Sequence, residues 1–504
     1  MKTKKLLLLM VGVFLLAFAS CEEDNEIPVV ENTNESSNPT TEPEASEEGE
    51  EEVEEEMVAM ADFTVTIENV VTPKPIFESG VFAVPVGQSG PAPLFPGDAY
   101  AFEINAGPHV LPGDGGTRLS FVTMFVQSND LFFAPNEEGI ALYEENGAPI
   151  CGDGPVDVTD QVLLWDAGTE VNEQTGGPNQ KPQQAPDAMD QGEDENGVVT
   201  EVKDNSCAFG NELPTVAEVI KVTIELVAPA RFKVKIKNVS TATTISVPAQ
   251  GENAKAAVPI SPGVFAVHTA PAPFFVEGEA AAGAGLIASE TGVEDVAEDG
   301  FLDALYMDTK AATGLIVPLS PGAWAVHKEG IMPLFEKNMP DFGEGLEGLA
   351  EDGNVAMLGE SLMNKEGIME SGIFNTPVGA SEPGPIGPGG QYQFSFTAEE
   401  GYQLSLATMF VQSNDWFYSF KPEGLPLFKD GEAMMGDVTE YIYLFDAGTE
   451  IDEYPGAGIA QVIRQGDMDA GEMDSNSNVR VVTGEEFDNI PANSYVLKVS
   501  IEAN

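Results

Sequence analysis

Apolar and polar residues alternate with a period of two over several short stretches of the chain. The clearest are Phe63-Thr-Val-Thr-Ile-Glu68, Tyr100-Ala-Phe-Glu-Ile104, Phe232-Lys-Val-Lys-Ile-Lys237 and Tyr392-Gln-Phe-Ser-Phe396, followed by Val219 to Ile224 and Tyr495 to Ile501. This is the period of a strand with one face buried and one face wet. Gly- and Pro-rich turns such as Phe95-Pro-Gly-Asp98 and Pro388-Gly-Gly390 punctuate these stretches. Strands of this kind at such spacing predict an all-β chain built from antiparallel sandwiches. Helical signals are brief, over Gly345–Gly353 and over Val355 to Leu362.

Self-similarity then sets the organisation. Val122-Thr-Met-Phe-Val-Gln-Ser-Asn-Asp130 returns as Ala407-Thr-Met-Phe-Val-Gln-Ser-Asn-Asp415. Leu164-Trp-Asp-Ala-Gly-Thr-Glu170 returns as Leu444-Phe-Asp-Ala-Gly-Thr-Glu450, and Glu78 to Gly87 matches Glu370 to Gly379. Order and approximate spacing hold, so the folded part is expected to comprise two copies of one domain, at 62–229 and 230–504. The second copy has a longer front, 240–368, with its own echo: Ser261-Pro-Gly-Val-Phe-Ala-Val-His268 against Ser320-Pro-Gly-Ala-Trp-Ala-Val-His327.

The start of the chain has a different character. Lys2, Lys4 and Lys5 precede an apolar run from Leu6 to Phe18 and the small-residue stretch ending at Cys21. Such a basic, apolar and small-residue succession reads as an export signal over 1–21, shorter than a membrane span. Phe18-Ala-Ser-Cys21 resembles the lipobox of bacterial lipoproteins, which implies acylation of Cys21 and anchoring in a membrane. Residues 22–61 carry Ser36-Ser-Asn-Pro-Thr-Thr-Glu-Pro43 and the acidic run Glu47 to Glu56, with no apolar periodicity. A disordered acidic tether is expected there. Glu22, Glu23 and Asp24 resemble the surface-export signal of Bacteroidetes lipoproteins, which implies an outer-membrane, surface-exposed location.

With 22 Lys and Arg against 84 Asp and Glu, the net charge is −62, which excludes nucleic acid as a partner and favours cations. Of the 3 cysteines, Cys151 and Cys207 remain after Cys21. Both lie in the first copy and neither has a counterpart in the second, as expected of one disulfide in an oxidising compartment; two buried thiols are the alternative.

The string Met-Phe-Val-Gln-Ser-Asn-Asp-(Leu/Trp)-Phe, followed some thirty residues later by (Trp/Phe)-Asp-Ala-Gly-Thr-Glu, resembles the spondin domain. The Ser-Pro-Gly and Glu-Ser-Gly segments look like its bacterial branch, and the resemblance covers the chain from residue 62 to the end. It implies a C2-like β-sandwich with a Ca²⁺ site near one end, used in extracellular adhesion or recognition. Carried over residue by residue, the implied Ca²⁺ ligands are Asp130, Asp166 and Glu170, then Asp415, Asp446 and Glu450. Animal members often have Asp where Glu170 and Glu450 stand, which bears on ligand number and affinity. The residues themselves suit a hard cation, which takes six to eight oxygens at about 2.3–2.6 Å. Each motif puts carboxylates where strands end, and the Ala-Gly turn brings the Glu back toward the Asp. Simple turn capping by these Asp residues is the alternative.

Other candidates are less informative. The acidic loops Asp187 to Asn196 and Asp467 to Asn476 could enlarge a cation-attracting rim, but they lack the spacing of an EF-hand loop and solvated loops are the favoured reading. His109, His268 and His327 are the only histidines, and the last two are expected to pack at strand ends. No nucleophile with a base and no Gly-rich phosphate loop stands out. The expected function is therefore non-enzymatic: a lipid-anchored surface protein with two Ca²⁺-binding modules for an extracellular protein or glycan ligand. A structural envelope protein stiffened by Ca²⁺ is the alternative, with a surface glycan hydrolase behind it.

Overall fold

The computed structural model describes residues 59–504 except 108–115, 153, 186 and 204–208. The expected export signal over 1–21 with Cys21, most of the expected tether over 22–61, His109 and Cys207 lie outside the described residues. Cys151 is buried and has no disulfide partner among the described residues.

The chain is all-β, with its strands in antiparallel sheets. Two larger pairs of sheets form two sandwich modules. In the first, the four-stranded sheet runs in the order Ala99–Asn105, Arg231–Asn238, Ile220–Ala228, Val156–Asp157. It packs on a seven-stranded sheet whose centre is Ile260–His268, Arg118–Phe125, Leu131–Pro135 and Val162–Asp166. Phe82 and Phe102 stack across the two sheets at 5.0 Å, and Phe102 meets Phe265 at 4.8 Å. The second module repeats this, with Trp324 stacked on Phe394 at 4.9 Å.

The outer face of each seven-stranded sheet is also covered. Val122, Phe132, Trp165 and Val264 pack under Phe275, Val296 and Leu305, which come from a following loop and the helices Glu294–Asp299 and Asp303–Ala311. In the second module Phe417 and Phe445 lie under Phe335, Leu349 and Leu358, the last two from helices Leu346–Asp352 and Ala356–Asn364. Burial on both faces explains why Leu119 to Phe125 is buried throughout and shows no clean alternation. The sequence anticipated the second pair of helices and missed the first.

Strand pairing divides the chain differently from the sequence repeat. Met60–Asn69 lies between Gln391–Glu399 and Leu497–Ala503, with Val65 opposite Phe394 on one side and Ile501 on the other. It therefore belongs to the second module. Its counterpart in the first module is Arg231–Asn238, paired with Ile220–Ala228 and Ala99–Asn105. The two strands end alike. Buried Asn69 Nδ2 donates to the carbonyls of Val317 and Ile386, and Asn238 Nδ2 donates to those of Leu94 and Val258. The boundary expected at 229/230 thus falls in the tight turn of a hairpin. The front expected at 240–368 is shared: Ile260–His268 and its helices complete the first module, and Leu319–Lys328 and its helices complete the second.

The first module is thus inserted between the first two strands of the second, and its own elements are circularly permuted. The ends make this possible. Ile76 N–H bonds to Ala312 and Gly314 N–H to Ile76, so the permuted module starts and stops at one place, where such rearrangements are tolerated.

Close packing of sheet and backbone is sharpest at Gly263 and Gly322. A Cβ on Gly322 would lie 2.1 Å from Phe374 Cζ and 2.2 Å from the carbonyl oxygen of Ala407. Gly322→Ala is therefore expected to cost about 3 kcal/mol. Denaturant unfolding followed through Trp324 checks it, and an unchanged midpoint would contradict the contact.

Candidate functional site

Each module gathers buried carboxylates at one rim of its seven-stranded sheet. Asp130 follows a turn fixed by Ser128, whose hydroxyl donates to Phe125 O at 2.6 Å and accepts from Leu131 N–H at 3.0 Å. Ser413 does the same before Asp415. Asp130 Oδ2 then accepts the backbone N–H groups of Thr169 and Glu170 at 3.1 and 3.2 Å, and Asp415 Oδ2 those of Thr449 and Glu450 at 3.0 and 3.1 Å. These bonds tie the Ala-Gly-Thr-Glu turn to the neighbouring strand. In both modules the other oxygen, Asp130 Oδ1 and Asp415 Oδ1, is buried with no hydrogen-bond partner among the described residues.

Asp166 and Asp446 each have both oxygens engaged by neighbouring groups of the protein. Asp166 Oδ1 accepts Gly168 N–H at 2.8 Å and Oδ2 accepts Asn172 Nδ2 at 2.8 Å, so both oxygens are used. Asp446 Oδ1 accepts Gly448 N–H at 2.6 Å, and its Oδ2 lies 2.5 Å from Arg480. Turn capping, the alternative weighed from the sequence, describes these two residues. Gly168 and Gly448 take left-handed φ values of 66° and 73° there, with the next loop's backbone packed against them.

Glu170 and Glu450 turn away from the aspartates. Glu170 Oε1 accepts Gly192 N–H at 2.6 Å and Glu450 Oε1 accepts Gly471 N–H at 2.5 Å. A Cβ on either glycine would lie 2.1 Å from the glutamate Cδ, so only glycine lets the acidic loop close this tightly. The carboxylates then group anew. Glu170, Asp190 and Glu298 each offer an oxygen within 4.8 Å of the others, as do Glu450, Asp469 and Glu351. A further group in the second module joins Asp415, Asp446 and Asp452. The structure therefore brings Asp130 close to Asp166, and Asp415 close to Asp446, while each glutamate heads a second cluster.

Burial and like charge push these acids up. Glu298 and Glu351 rise to about 8, first by desolvation, with Glu170 or Glu450 and other acids adding to it. Glu170 rises to about 7 by desolvation. Asp446 is pushed up to about 9 by desolvation and then by Asp415 and Asp452, against the pull of Arg480.

The copies differ at one point. Asp452 and Arg480 stand where the first module has Asn172 and Thr200, and Arg480 reaches Asp446, Asp452 and Asp474. An added carboxylate is thus matched by an added guanidinium.

Sequence reading missed Glu298, Glu351, Asp452 and Arg480, and it named the acidic loops that carry Asp190 and Asp469 without singling those two residues out. Two short echoes carried the signal: Ala297-Glu-Asp-Gly300 against Ala350-Glu-Asp-Gly353, and Met189-Asp-Gln-Gly-Glu193 against Met468-Asp-Ala-Gly-Glu472. His268 and His327 are buried as expected, each with Nε2 2.9 Å from a buried serine hydroxyl, Ser120 or Ser405.

No protein-family model matches the chain, and no curated protein matches it. Among the described residues, no helix is long and apolar enough to cross a membrane.

Proposed function

We propose that this protein is an exported, lipid-anchored surface protein whose two spondin-like modules bind Ca²⁺ and recognise an extracellular protein or glycan. One observation carries the cation part. Buried carboxylate oxygens without a hydrogen-bond partner recur at equivalent places in both modules: Asp130 Oδ1 with Asp415 Oδ1, and Glu170 Oε2 with Glu450 Oε2. A buried anion left unpaired is costly, and a hard cation with oxygen ligands offsets that cost. The net charge of −62 draws cations to such a rim.

The recognition part rests on the resemblance and on the duplication. Two modules on one tethered chain raise the effective concentration of the second once the first has bound. An array of glycans and matrix proteins, probed in Ca²⁺ and again in chelator, tests this. Retention of one ligand class in Ca²⁺ and its release by chelator is the expected result. Binding indifferent to chelator would leave Ca²⁺ as a mere stiffener, and turnover of an arrayed glycan would overturn the non-enzymatic reading.

A further inference from the structure

We propose that the Ca²⁺ ion of each module sits between Glu170, Asp190 and Glu298 in the first module and between Glu450, Asp469 and Glu351 in the second. This rests on the cation reading above, but it assigns the ion to a different set of carboxylates from that implied by the resemblance.

The first argument is the state of the oxygens. Glu170, Glu298, Glu351 and Glu450 are only 2–7% exposed. Among the described residues, Glu170 Oε2, Glu450 Oε2 and Glu351 Oε1 are buried and make no hydrogen bond of good geometry, although Asn129, Asn414 and Thr449 stand close enough to favour the ionised forms. Among the described residues no lysine or arginine lies within ion-pair distance of any of the six; the nearby Lys181 is 2.8 Å from Asp299 instead. In contrast, Asp166 and Asp446 have both oxygens engaged by the protein itself, so the orphaned Asp130 Oδ1 and Asp415 Oδ1 have no free oxygen of the neighbouring aspartate beside them.

The second is backbone conformation. Asp190 and Asp469 occupy left-handed φ values of 48° and 53° at matching places in the two acidic loops. Aspartate is among the few non-glycine residues that enter this region readily. Here the conformation belongs to loops that close on Glu170 and Glu450 through Gly192 and Gly471. Both aspartates are exposed, so each cluster opens to solvent on one side.

The third is helix polarity. Glu298 and Glu351 fall in the last turns of Glu294–Asp299 and Leu346–Asp352, with no basic residue in either turn. Carbonyls at a helix C-terminus disfavour a carboxylate and favour a cation. Each of the three carboxylates brings one oxygen to a common point, and the open side leaves room for water to complete the six to eight oxygens that Ca²⁺ takes.

The fourth is that the trio is identical across copies that have diverged beside it. Asp452 stands where the first module has Asn172, and Arg480 where it has Thr200, yet Glu, Asp and Glu stand at all three places twice. The permutation even changes their order, turn–loop–helix in the first module and helix–turn–loop in the second. An ion at each trio would clamp those three chain segments together.

Calorimetric titration of the full chain with CaCl₂, after chelator treatment, tests the assignment. Two sites are expected in the wild type, one in Glu298→Gln or Glu351→Gln, and none in the double variant. Asp190→Asn and Asp469→Asn, which keep a side chain tolerant of the left-handed conformation, should each weaken one site at least tenfold. The pair Asp166→Asn with Asp446→Asn should keep two sites. Melting in chelator verifies that each variant is folded. No heat in the wild type would sink the cation reading altogether. Heat kept by the double Gln variant but lost by the paired Asn variant would overturn only the present assignment.

Discussion

Removing residues 1–70 is expected to unfold the second module, whose next strand begins 250 residues further along the chain (69 to 319), and to leave the first standing. The strand Met60–Asn69 is central in its sheet, laddered on one side to Gln391–Glu399 and on the other to Leu497–Ala503. Phe63, Val65 and Ile67 are at most 1% exposed, and Phe63 stacks on Phe396 at 5.4 Å. Burial of such side chains contributes about 1.5–3 kcal/mol each, so their joint loss approaches the ~5–15 kcal/mol that holds a whole domain. Both ladders of backbone hydrogen bonds go as well. The first module loses no strand, because Arg231–Asn238 fills the equivalent place. Hydrogen exchange checks this directly: amides of 391–399 and 497–503 should lose protection while those of 99–105 and 220–238 keep it. The reverse pattern would restore the division at 229/230. Val65→Asp in the full chain should act in the same direction.

Without divalent cations, the protein is expected to grow more stable as pH falls from 9 to 6.5. Glu298 and Glu351 are pushed up to about 8 in the folded chain, chiefly by burial. A carboxyl whose folded value is raised holds its proton more tightly when folded than when unfolded. Its contribution is complete below the unfolded value and is lost as pH rises through the folded one. The window therefore closes near pH 8 for these two. Buried His268 works oppositely: burial pushes it down to about 4, so its contribution is lost below its ordinary value of 6.5. The range from 6.5 to 9 thus isolates the carboxyls. Replacing both glutamates, Glu298→Gln with Glu351→Gln, should raise stability at pH 8.5 in chelator by about 2 kcal/mol for each site and reduce the slope, the remainder belonging to other raised carboxyls such as Glu78, which burial pushes up to about 7. In Ca²⁺ the wild type should show a smaller slope, because the bound ion keeps Glu298 and Glu351 ionised. Thermal melts across pH, with chelator and with Ca²⁺, read both effects. A wild-type slope unchanged by Ca²⁺ would refute the link between these acids and the ion.

Much of the fold was legible in the sequence, and the reasons are local. Alternation at Phe63-Thr-Val-Thr-Ile and Phe232-Lys-Val-Lys-Ile is fixed by the pleat, so those strands were visible at once. The repeated Met-Phe-Val-Gln-Ser-Asn-Asp and Asp-Ala-Gly-Thr-Glu strings likewise marked two equivalent rims. The Ser and Gly residues within them make turns that need only near neighbours, as Ser128, Ser413, Gly168 and Gly448 do.

Partnership was decided only by tertiary structure. Alternation states which side of a strand is buried but not which sheet receives it, so Met60–Asn69 looked like the first strand of the first copy. Its place in the second module depends on where the chain leaves and re-enters, near Asn69 and Val317. The site divides in the same way. Asp130, Asp166 and Glu170 share a motif and were read as one set, yet a carboxylate's partners depend on which segments converge on it. Asp166 is satisfied within its own turn by Gly168 and Asn172, which sequence proximity alone provides. Glu170 meets Asp190 and Glu298 because a loop and a helix from distant parts of the chain fold over it. The sequence determined the strands, the turns and the twofold repetition; three-dimensional closure determined which strands share a sheet and which acids share a site.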